Sequence, residues 1–338
     1  MSGVPYCCPR CRGGLRARDG RYECPPCGAE YPVLAGIPDF RVYPDPYIDL
    51  EADRRKGLLL AREAGRTSFS DLLDRYYEMT PEVPPGLARR YAAHHRAGLD
   101  RGRGLLDRLE AYGLSGGTGG RRLLDLGCGS GGWLAAAARA GGEVTGVDIA
   151  FRWLVVARRR LEELGLRGAR LVCACADALP FPEGRFDLVT AENLLEHTRA
   201  PERILAEARR VLAPGGSLLA RTVNRYALAP EPHVALWGVG FLPRAAMERY
   251  VLWRRGIPYR HVRLLSYFDL RRALGEAGNG ARIRSPHLGP GDYGHHPPAK
   301  QRLFRLYARL AAVPPLRPAL LLFGPYLDVV GQPARSTP

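Results

Sequence analysis

The chain has 338 residues, of which 46% are hydrophobic, and a formal net charge of +16 at pH 7. This length allows one large domain with a proper core plus a small one. The sequence has no run of 18 apolar residues, so it predicts no membrane span. The first 30 residues carry cysteines and charges where a signal peptide would be apolar, so we expect a cytoplasmic protein without a membrane partner. The charge invites a nucleic-acid partner, but lysine occurs only at positions 56 and 300 and the arginines are scattered, which indicates compositional bias.

Two Cys-x-x-Cys pairs open the chain, Cys8 to Cys11 and Cys24 to Cys27, with twelve residues between them. Four thiolates on two tight turns suit tetrahedral zinc. Disulfides are the alternative, but a predicted intracellular chain argues against them. Cys7 is the extra cysteine, and Cys8 is preferred as the ligand because only Cys8 has the two-residue spacing to Cys11.

The segment from Pro5 to Phe40 is similar to the zinc-ribbon proteins that activate tRNA and release-factor methyltransferases. In that family the ribbon is a scaffold or a partner surface. Asp19-Gly20 predicts a tight hairpin between the two cysteine pairs. We therefore predict a zinc ribbon over residues 1–45 that folds on binding its metal.

Residues 46–118 are predicted to form a helical linker and cap. Apolar residues recur at helical spacing between Asp49 and Tyr112, and prolines separate the helices. The glycine-rich stretch from Ser115 to Gly120 is a linker into the next domain.

A strand, a glycine loop, a helix and a second strand follow between Arg121 and Ala150. The apolar run from Leu123 to Leu126 ends at Gly127, after which the loop continues to Gly132, and Trp133 begins a helix. Asp148 stands at the tip of the second strand, where a carboxylate can accept both hydroxyls of a ribose. The pattern predicts a cofactor that contains a nucleoside.

Spacing of the glycines alone does not distinguish this cofactor from a dinucleotide. Asp125, two residues before the loop, suits an ammonium group and would repel a pyrophosphate. Further motifs follow at Ala176–Phe181, Arg185–Thr190 and Leu212–Leu219. Together they resemble, in order and spacing, the class I S-adenosylmethionine-dependent methyltransferases of type 11, over about Arg121 to Leu219.

The resemblance implies a set of cofactor-binding residues: Asp125, Gly127, Cys128, Gly129, Asp148, Ile149, Asp177, Ala178, Glu192 and Asn193. Asp125 would hold the methionine ammonium and Asp148 the ribose. The amides of Gly127–Gly129 would face the methionine. Ile149 would lie on the adenine, with Asp177 and the Ala178 amide at its polar edge, and Glu192 and Asn193 would border the methyl group.

The predicted fold is α/β, a Rossmann-like seven-stranded methyltransferase sheet. Residues 119–290 would form the S-adenosylmethionine-binding domain, with a lid insert at 224–263. Residues 291–338 would supply C-terminal helices and the last strand. Predicted late elements are a capped helix at Ser266–Ala277, strands at Ala281–His287 and Gly324–Val330, and a basic helix at Lys300–Ala312.

The predicted chemistry is in-line transfer of methyl to an O, N or C nucleophile. Because the sulfonium is already activated, positioning supplies much of the rate, and a base is optional. His197 and His233 are the candidate bases, although His197 could be structural. We expect a small-molecule acceptor enclosed by Tyr226, His233, Trp237 and Trp253. The alternative is a base of rRNA or tRNA, recognised by the ribbon.

Overall fold

A computed structural model describes residues 6–114, 118–294 and 298–331 of the chain. Residues 115–117 of the predicted linker, residues 1–5 of the predicted ribbon and residues 332–338 of the predicted last segment lie outside them. The predicted domain boundaries stay predictions.

The N-terminal segment forms a small antiparallel sheet, in the order β1 (Arg16–Arg18), β2 (Arg21–Glu23), β3 (Glu30–Leu34) and β4 (Ile37–Pro38). The predicted hairpin is confirmed, because Arg18 pairs with Arg21 around Asp19-Gly20 and Gly20 has a φ of 73°. Four helices follow: α1 (Leu50–Ala64), α2 (Phe69–Glu78), α3 (Pro85–Arg96) and α4 (Gly98–Ala111).

The main sheet is built from seven strands: β5 (Arg122–Leu126), β6 (Glu143–Asp148), β7 (Arg170–Cys173), β8 (Phe186–Glu192), β9 (Leu212–Val223), β10 (Arg282–Arg284) and β11 (Tyr326–Gly331). Their order is β10-β11-β9-β8-β5-β6-β7, and β11 runs antiparallel to both of its neighbours. The prediction of a Rossmann-like seven-stranded sheet is therefore confirmed. The strand order reverses beside β5, and in such sheets ligands bind at the carboxyl ends of the strands near this point.

The remaining helices are α5 (Gly132–Arg139), α6 (Phe151–Glu163), α7 (Pro201–Val211), α8 (Arg244–Arg255), α9 (Tyr267–Glu276), α10 (Pro290–Tyr293), α11 (Pro298–Ala311) and α12 (Arg317–Phe323). Helix α4 packs very closely on α5, because a Cβ on Gly132 would lie 2.5 Å from the Gly98 carbonyl oxygen. This contact places the helical linker directly against the start of the glycine-loop helix.

The N-terminal sheet packs against the main sheet and its loops. The Phe40 amide donates to the Cys173 carbonyl at 2.7 Å, and the Cys7 amide donates to the Pro180 carbonyl at 3.1 Å. Arg12 reaches the Leu179 carbonyl at 2.6 Å. The side chains of Cys8, Cys24, Tyr31 and Phe40 belong to the same buried cluster as core residues of β5 to β9.

No single helix among the described residues is both long and apolar enough to cross a membrane. Gln301–Ala311 and Pro314–Phe323 reach that length and composition only as a pair, with a bend of 103° between them.

Candidate active site

The glycine loop follows β5 and is shaped by contacts within the protein. The Gly127 and Cys128 amides both donate to the Val147 carbonyl, at 2.8 and 3.0 Å. The Gly129 amide donates to Oδ2 of Asp148 at 2.8 Å. These three amides, expected to face the methionine, therefore hold the loop in this conformation, and their role toward a cofactor stays a prediction.

Asp148 lies at the end of β6 between two backbone donors. Its Oδ1 accepts from the Ala150 amide and its Oδ2 from the Gly129 amide, both at 2.8 Å. Burial raises the pKa of Asp148 to about 6, although both hydrogen bonds favour the ionised form. The carboxylate is thus fixed in place, and each oxygen keeps a lone pair for a ligand hydroxyl.

Asp125 lies one strand away and is held by two residues that the site prediction did not include. Thr190 donates to Oδ1 of Asp125 at 2.8 Å and in turn accepts from the Trp133 indole at 2.8 Å. Burial holds the pKa of Asp125 well above its usual range, and the nearby carboxylates of Glu192 and Asp148 add to the shift. A cationic ligand beside Asp125 would offset both the burial and the repulsion from the two carboxylates, and so favour the ionised form of Asp125.

Glu192 and Asn193 end β8 beside Asp125. Glu192 pairs through Oε2 with Arg108 of α4, and Asn193 has a φ of 53°. Oε1 of Glu192 and Oδ1 of Asn193 are buried and have no hydrogen-bond partner among the described residues. Such acceptors are costly to bury alone, which indicates that a donor-bearing ligand belongs here.

Residues 39–47, here called the strap, connect the N-terminal sheet to α1 and run along the cofactor side of the main sheet. A buried ion network anchors the strap, in which Arg41 pairs with Asp39 at 2.7 Å and with Asp53 at 2.6 Å. Arg152 joins the network through Asp45 at 2.8 Å and Asp53 at 2.6 Å. Removing one charge from such a network leaves its partners buried and unpaired, so the strap is firmly placed.

The strap contacts the residues predicted to bind the adenine. Arg41 donates to the Ile149 carbonyl at 3.1 Å, and the Tyr43 hydroxyl donates to the Asp177 carboxylate. The Ala178 amide, expected to donate to a ring nitrogen, donates to the Cys175 carbonyl at 3.1 Å. Tyr43 therefore donates to Oδ1 of the carboxylate that was expected to accept from the adenine amino group.

The change Tyr43→Phe should tighten S-adenosylmethionine binding by about fivefold, because it removes a hydrogen bond worth about 1 kcal/mol that competes for Asp177. Calorimetry on both proteins measures the difference. Tyr47→Phe, in the same strap but bonded away from Asp177, serves as the control and should bind like the wild type. Weaker binding by Tyr43→Phe would mean that the tyrosine contacts the cofactor.

Both candidate bases belong to one hydrogen-bonded chain. His197 ends the 3-10 helix Leu195–His197 after β8, and its Nε2 lies 3.1 Å from Nε2 of His233 in the lid. Nδ1 of His197 contacts the Tyr47 hydroxyl at 3.1 Å, and Nδ1 of His233 contacts Glu231. Both histidines were predicted from the sequence as candidate bases, but no sequence pattern indicated Tyr47 or Glu231.

The surroundings of the two histidines shift their pKa values in opposite directions. Burial and, to a smaller extent, the neighbouring His233 lower the pKa of His197 to about 3. Burial also acts to lower the pKa of His233, but the Glu231 carboxylate outweighs it and raises that pKa. His197 is therefore a neutral proton acceptor at neutral pH.

The lid does not enclose this chain of residues with the aromatic side chains that were expected to do so. Trp237 is 61% exposed and Trp253 is 75% exposed, so the expectation that they surround an acceptor is wrong. The lid instead has an apolar core of its own, formed by Val234, Leu236, Val239, Met247, Val251 and Tyr259.

Within the part of the chain that the structure describes, two groups of side chains could hold a metal ion. The sulfurs of Cys8, Cys11, Cys24 and Cys27 all lie within 4.8 Å of one another, with 3.4 Å between Cys11 and Cys24. All four are free thiols, a donor set that suits zinc, and Cys7 lies outside the group. Ligand atoms of Glu196, His197 and His233 are grouped within the same limit.

Comparison with known proteins matches residues 124–220 to the methyltransferase domain family. A ubiquinone biosynthesis O-methyltransferase of Aromatoleum aromaticum is 32% identical over 157 residues, 46% of this chain and 61% of the relative. Another of that name, from Alkalilimnicola ehrlichii, is 38% identical over 110 residues, 32% of this chain and 44% of the relative. The chain thus spans about half the length of these curated relatives.

A solved SAM-dependent methyltransferase from Aquifex aeolicus aligns with 67% of this chain and 87% of its own length, at 17% identity and a TM-score of 0.41. The family match covers β5 through most of β9, the part of the sheet that carries the glycine loop and the acids at the strand ends. The match to the methyltransferase domain family thus falls on the segment whose motifs predicted it.

Proposed function

We propose that the chain is an S-adenosylmethionine-dependent methyltransferase that transfers methyl to a small-molecule acceptor. The observation that carries this proposal is the chemistry of the crevice at the carboxyl ends of β5, β6 and β8. In a chain of net charge +16, this crevice gathers Asp125, Asp148 and Glu192, and leaves carbonyl and carboxylate oxygens without donors. The cofactor offers the matching groups, namely a sulfonium, an ammonium, two ribose hydroxyls and an amino group.

An oxygen nucleophile is favoured among the O, N and C acceptors. The curated relatives are named as O-methyltransferases. In this chain the Tyr47 hydroxyl contacts Nδ1 of His197 at 3.1 Å, so a phenol already occupies the position that an acceptor hydroxyl needs. When an acceptor displaces Tyr47, His197 would take the hydroxyl proton at Nδ1 and release the proton at Nε2 to His233. S-adenosylmethionine, held by Asp125 and Asp148, would supply the methyl group and leave as the neutral thioether.

RNA is the weaker acceptor class for this chain. Arg12, one of the ribbon arginines that an RNA could use, is held by the Leu179 carbonyl at 2.6 Å and by Glu207 at 2.8 Å. Its charge is therefore already paired with Glu207, and this contact fastens the ribbon to the main domain.

The direct test is transfer of radiolabelled methyl from S-adenosylmethionine to two sets of acceptors. One set contains small phenols and catechols with apolar tails, and the other is total RNA. We expect label in a small-molecule product and none in RNA. Label in RNA alone would overturn the small-molecule assignment, and NADH binding in place of S-adenosylmethionine would overturn the methyltransferase assignment.

Cofactor binding should depend on Asp148. Asp148→Ala removes a pair of hydrogen bonds to a carboxylate and should weaken S-adenosylmethionine binding by about 1.5–3 kcal/mol, or roughly 10- to 150-fold. Wild-type affinity should also fall as the pH falls through about 6, because the acid then becomes neutral, and the variant should lack this step. Calorimetry between pH 5 and 8 measures both effects.

Asp187→Ala is the matched control for this change. Asp187 also belongs to a strand of the sheet, but it pairs with Arg122 at 2.7 Å, at the end opposite the crevice. That variant should bind the cofactor like the wild type. Equal affinities for Asp148→Ala and the wild type would contradict the assignment of the ribose site.

A further inference from the structure

Helix α11 exposes an apolar stripe to solvent. Leu303, Leu306 and Leu310 follow one another at helical spacing and are 66%, 51% and 40% exposed, and Val313, just beyond the helix, is 42% exposed. The opposite side of the helix faces the protein, where Phe304 stacks on Tyr293 at 5.8 Å. A surface helix normally turns its apolar face inward, so this second apolar face has no partner within the described residues.

A stripe of arginines runs beside the leucines. Arg302, Arg305 and Arg309 each precede one of the exposed leucines and are themselves exposed. The chain carries no acidic residue between Asp292 and Asp328. The surface of α11 therefore combines exposed apolar side chains with uncompensated positive charge.

The apolar surface continues past α12 into the lid. The Leu228 amide donates to the Phe323 carbonyl at 3.1 Å, and the Trp237 indole donates to the Leu228 carbonyl at 3.3 Å. Phe323, Leu228 and Trp237 are 43%, 64% and 61% exposed. The neighbouring ring of Phe241 stacks on Trp237 with 6.2 Å between centroids. An exposed tryptophan beside exposed leucines is typical of a side chain at a membrane–water interface.

We propose that α11, α12 and the adjoining edge of the lid form a docking surface for an anionic lipid membrane. Helices that lie in the plane of a membrane have this composition, with an apolar stripe that enters the acyl boundary and basic residues that meet the headgroups. Neither helical segment is long enough to span a bilayer by itself, and the two meet at a bend of 103°.

Charge decides between a lipid surface and a second copy of this chain. An isologous contact through α11 would bring the arginine stripe of each copy close to that of the other, with no acid on the helix to offset it. Anionic headgroups offset the same charges favourably. This proposal departs from the sequence-based expectation that the chain has no membrane partner.

Sedimentation with lipid vesicles tests the proposal on the full chain. We expect binding to vesicles of phosphatidylcholine with about one third phosphatidylglycerol, and much weaker binding to phosphatidylcholine alone. The change of Leu303, Leu306 and Leu310 to glutamate should abolish binding. The change of Arg302, Arg305 and Arg309 to glutamine should weaken it by about fivefold for each arginine, or on the order of 100-fold together.

A matched control is needed because a chain of charge +16 is attracted to any anionic vesicle. Arg55, Arg271 and Arg272 are exposed on α1 and α9, and their change to glutamine removes the same charge from other surfaces. This control should bind within a few-fold of the wild type. All variants should keep wild-type cofactor affinity, which separates a failure here from a failure of the proposed enzyme activity.

Two results would overturn the proposal. One is equal loss of binding in the control and in the α11 arginine variant, which would mean that the attraction is only global. The other is a dimer in analytical ultracentrifugation that the leucine changes dissociate, together with no vesicle binding by the wild type. A second copy would then cover this face.

Discussion

Replacement of His197 by glutamine should lower kcat by roughly two to four orders of magnitude, with little change in cofactor affinity. His197 is the neutral member of the chain that runs from Tyr47 through His233 to Glu231, and burial keeps it neutral at working pH. Glutamine can still form a hydrogen bond to the acceptor, but it cannot take up the proton. Single-turnover measurements at saturating acceptor report the chemical step directly.

The pH profile separates proton transfer from a structural role. A protonated His233 cannot accept the proton from His197, so the rate should fall as the pH falls through the raised pKa of His233. Glu231→Gln removes the charge that raises this pKa and should move the acid limb of the profile to lower pH. A profile that stays in place in Glu231→Gln, or kcat unchanged in His197→Gln, would contradict the base assignment. Loss of wild-type activity with a chelator that leaves the ribbon zinc in place would instead assign Glu196, His197 and His233 to a metal ion.

Replacement of Cys24 by serine should release the metal and also weaken cofactor binding. Purified wild-type protein should carry about one zinc per chain. Loss of one thiolate unfolds a module that depends on its metal, and the strap that follows it then loses its position beside Ile149 and Asp177. Coupling between two such sites is typically 5- to 150-fold in affinity, and we expect a decrease in that range.

Elemental analysis and calorimetry on the same samples measure both effects. Cys7→Ser is the control, since Cys7 is buried next to Cys8 but lies outside the group of four sulfurs. It should keep its zinc and its cofactor affinity. Stoichiometric zinc in Cys24→Ser would refute the ligand assignment, and unchanged cofactor affinity after zinc loss would show that the strap holds its place without the ribbon.

The elements of the main sheet were predictable because each carries a local signal. Each signal is a short motif of consecutive residues, as in the glycine loop, the acid at the tip of β6 and the proline-glycine turn inside β9. The structure places the strands within a few residues of their predicted bounds.

The contacts that complete the site were not predictable in the same way. Tyr43 meets Asp177 across 134 positions and Tyr47 meets His197 across 150. No periodicity or spacing connects residues so far apart, because only the packed strap brings them together. The exposure of Trp237 was missed for the same reason, since the lid's own apolar core turns its tryptophans outward.

The docking of the N-terminal sheet has a consequence for how the chain is made. The backbone of Phe40 bonds to Cys173, which leaves the ribosome much later. At about 5–20 residues per second, on the order of ten seconds pass before that partner emerges. During this interval the nascent ribbon has no surface to pack against, and a module so small cannot be stabilised by its own core. A metal ion that binds during synthesis would stabilise the folded ribbon until β7 has left the ribosome. Zinc supply during translation should therefore govern the yield of folded protein.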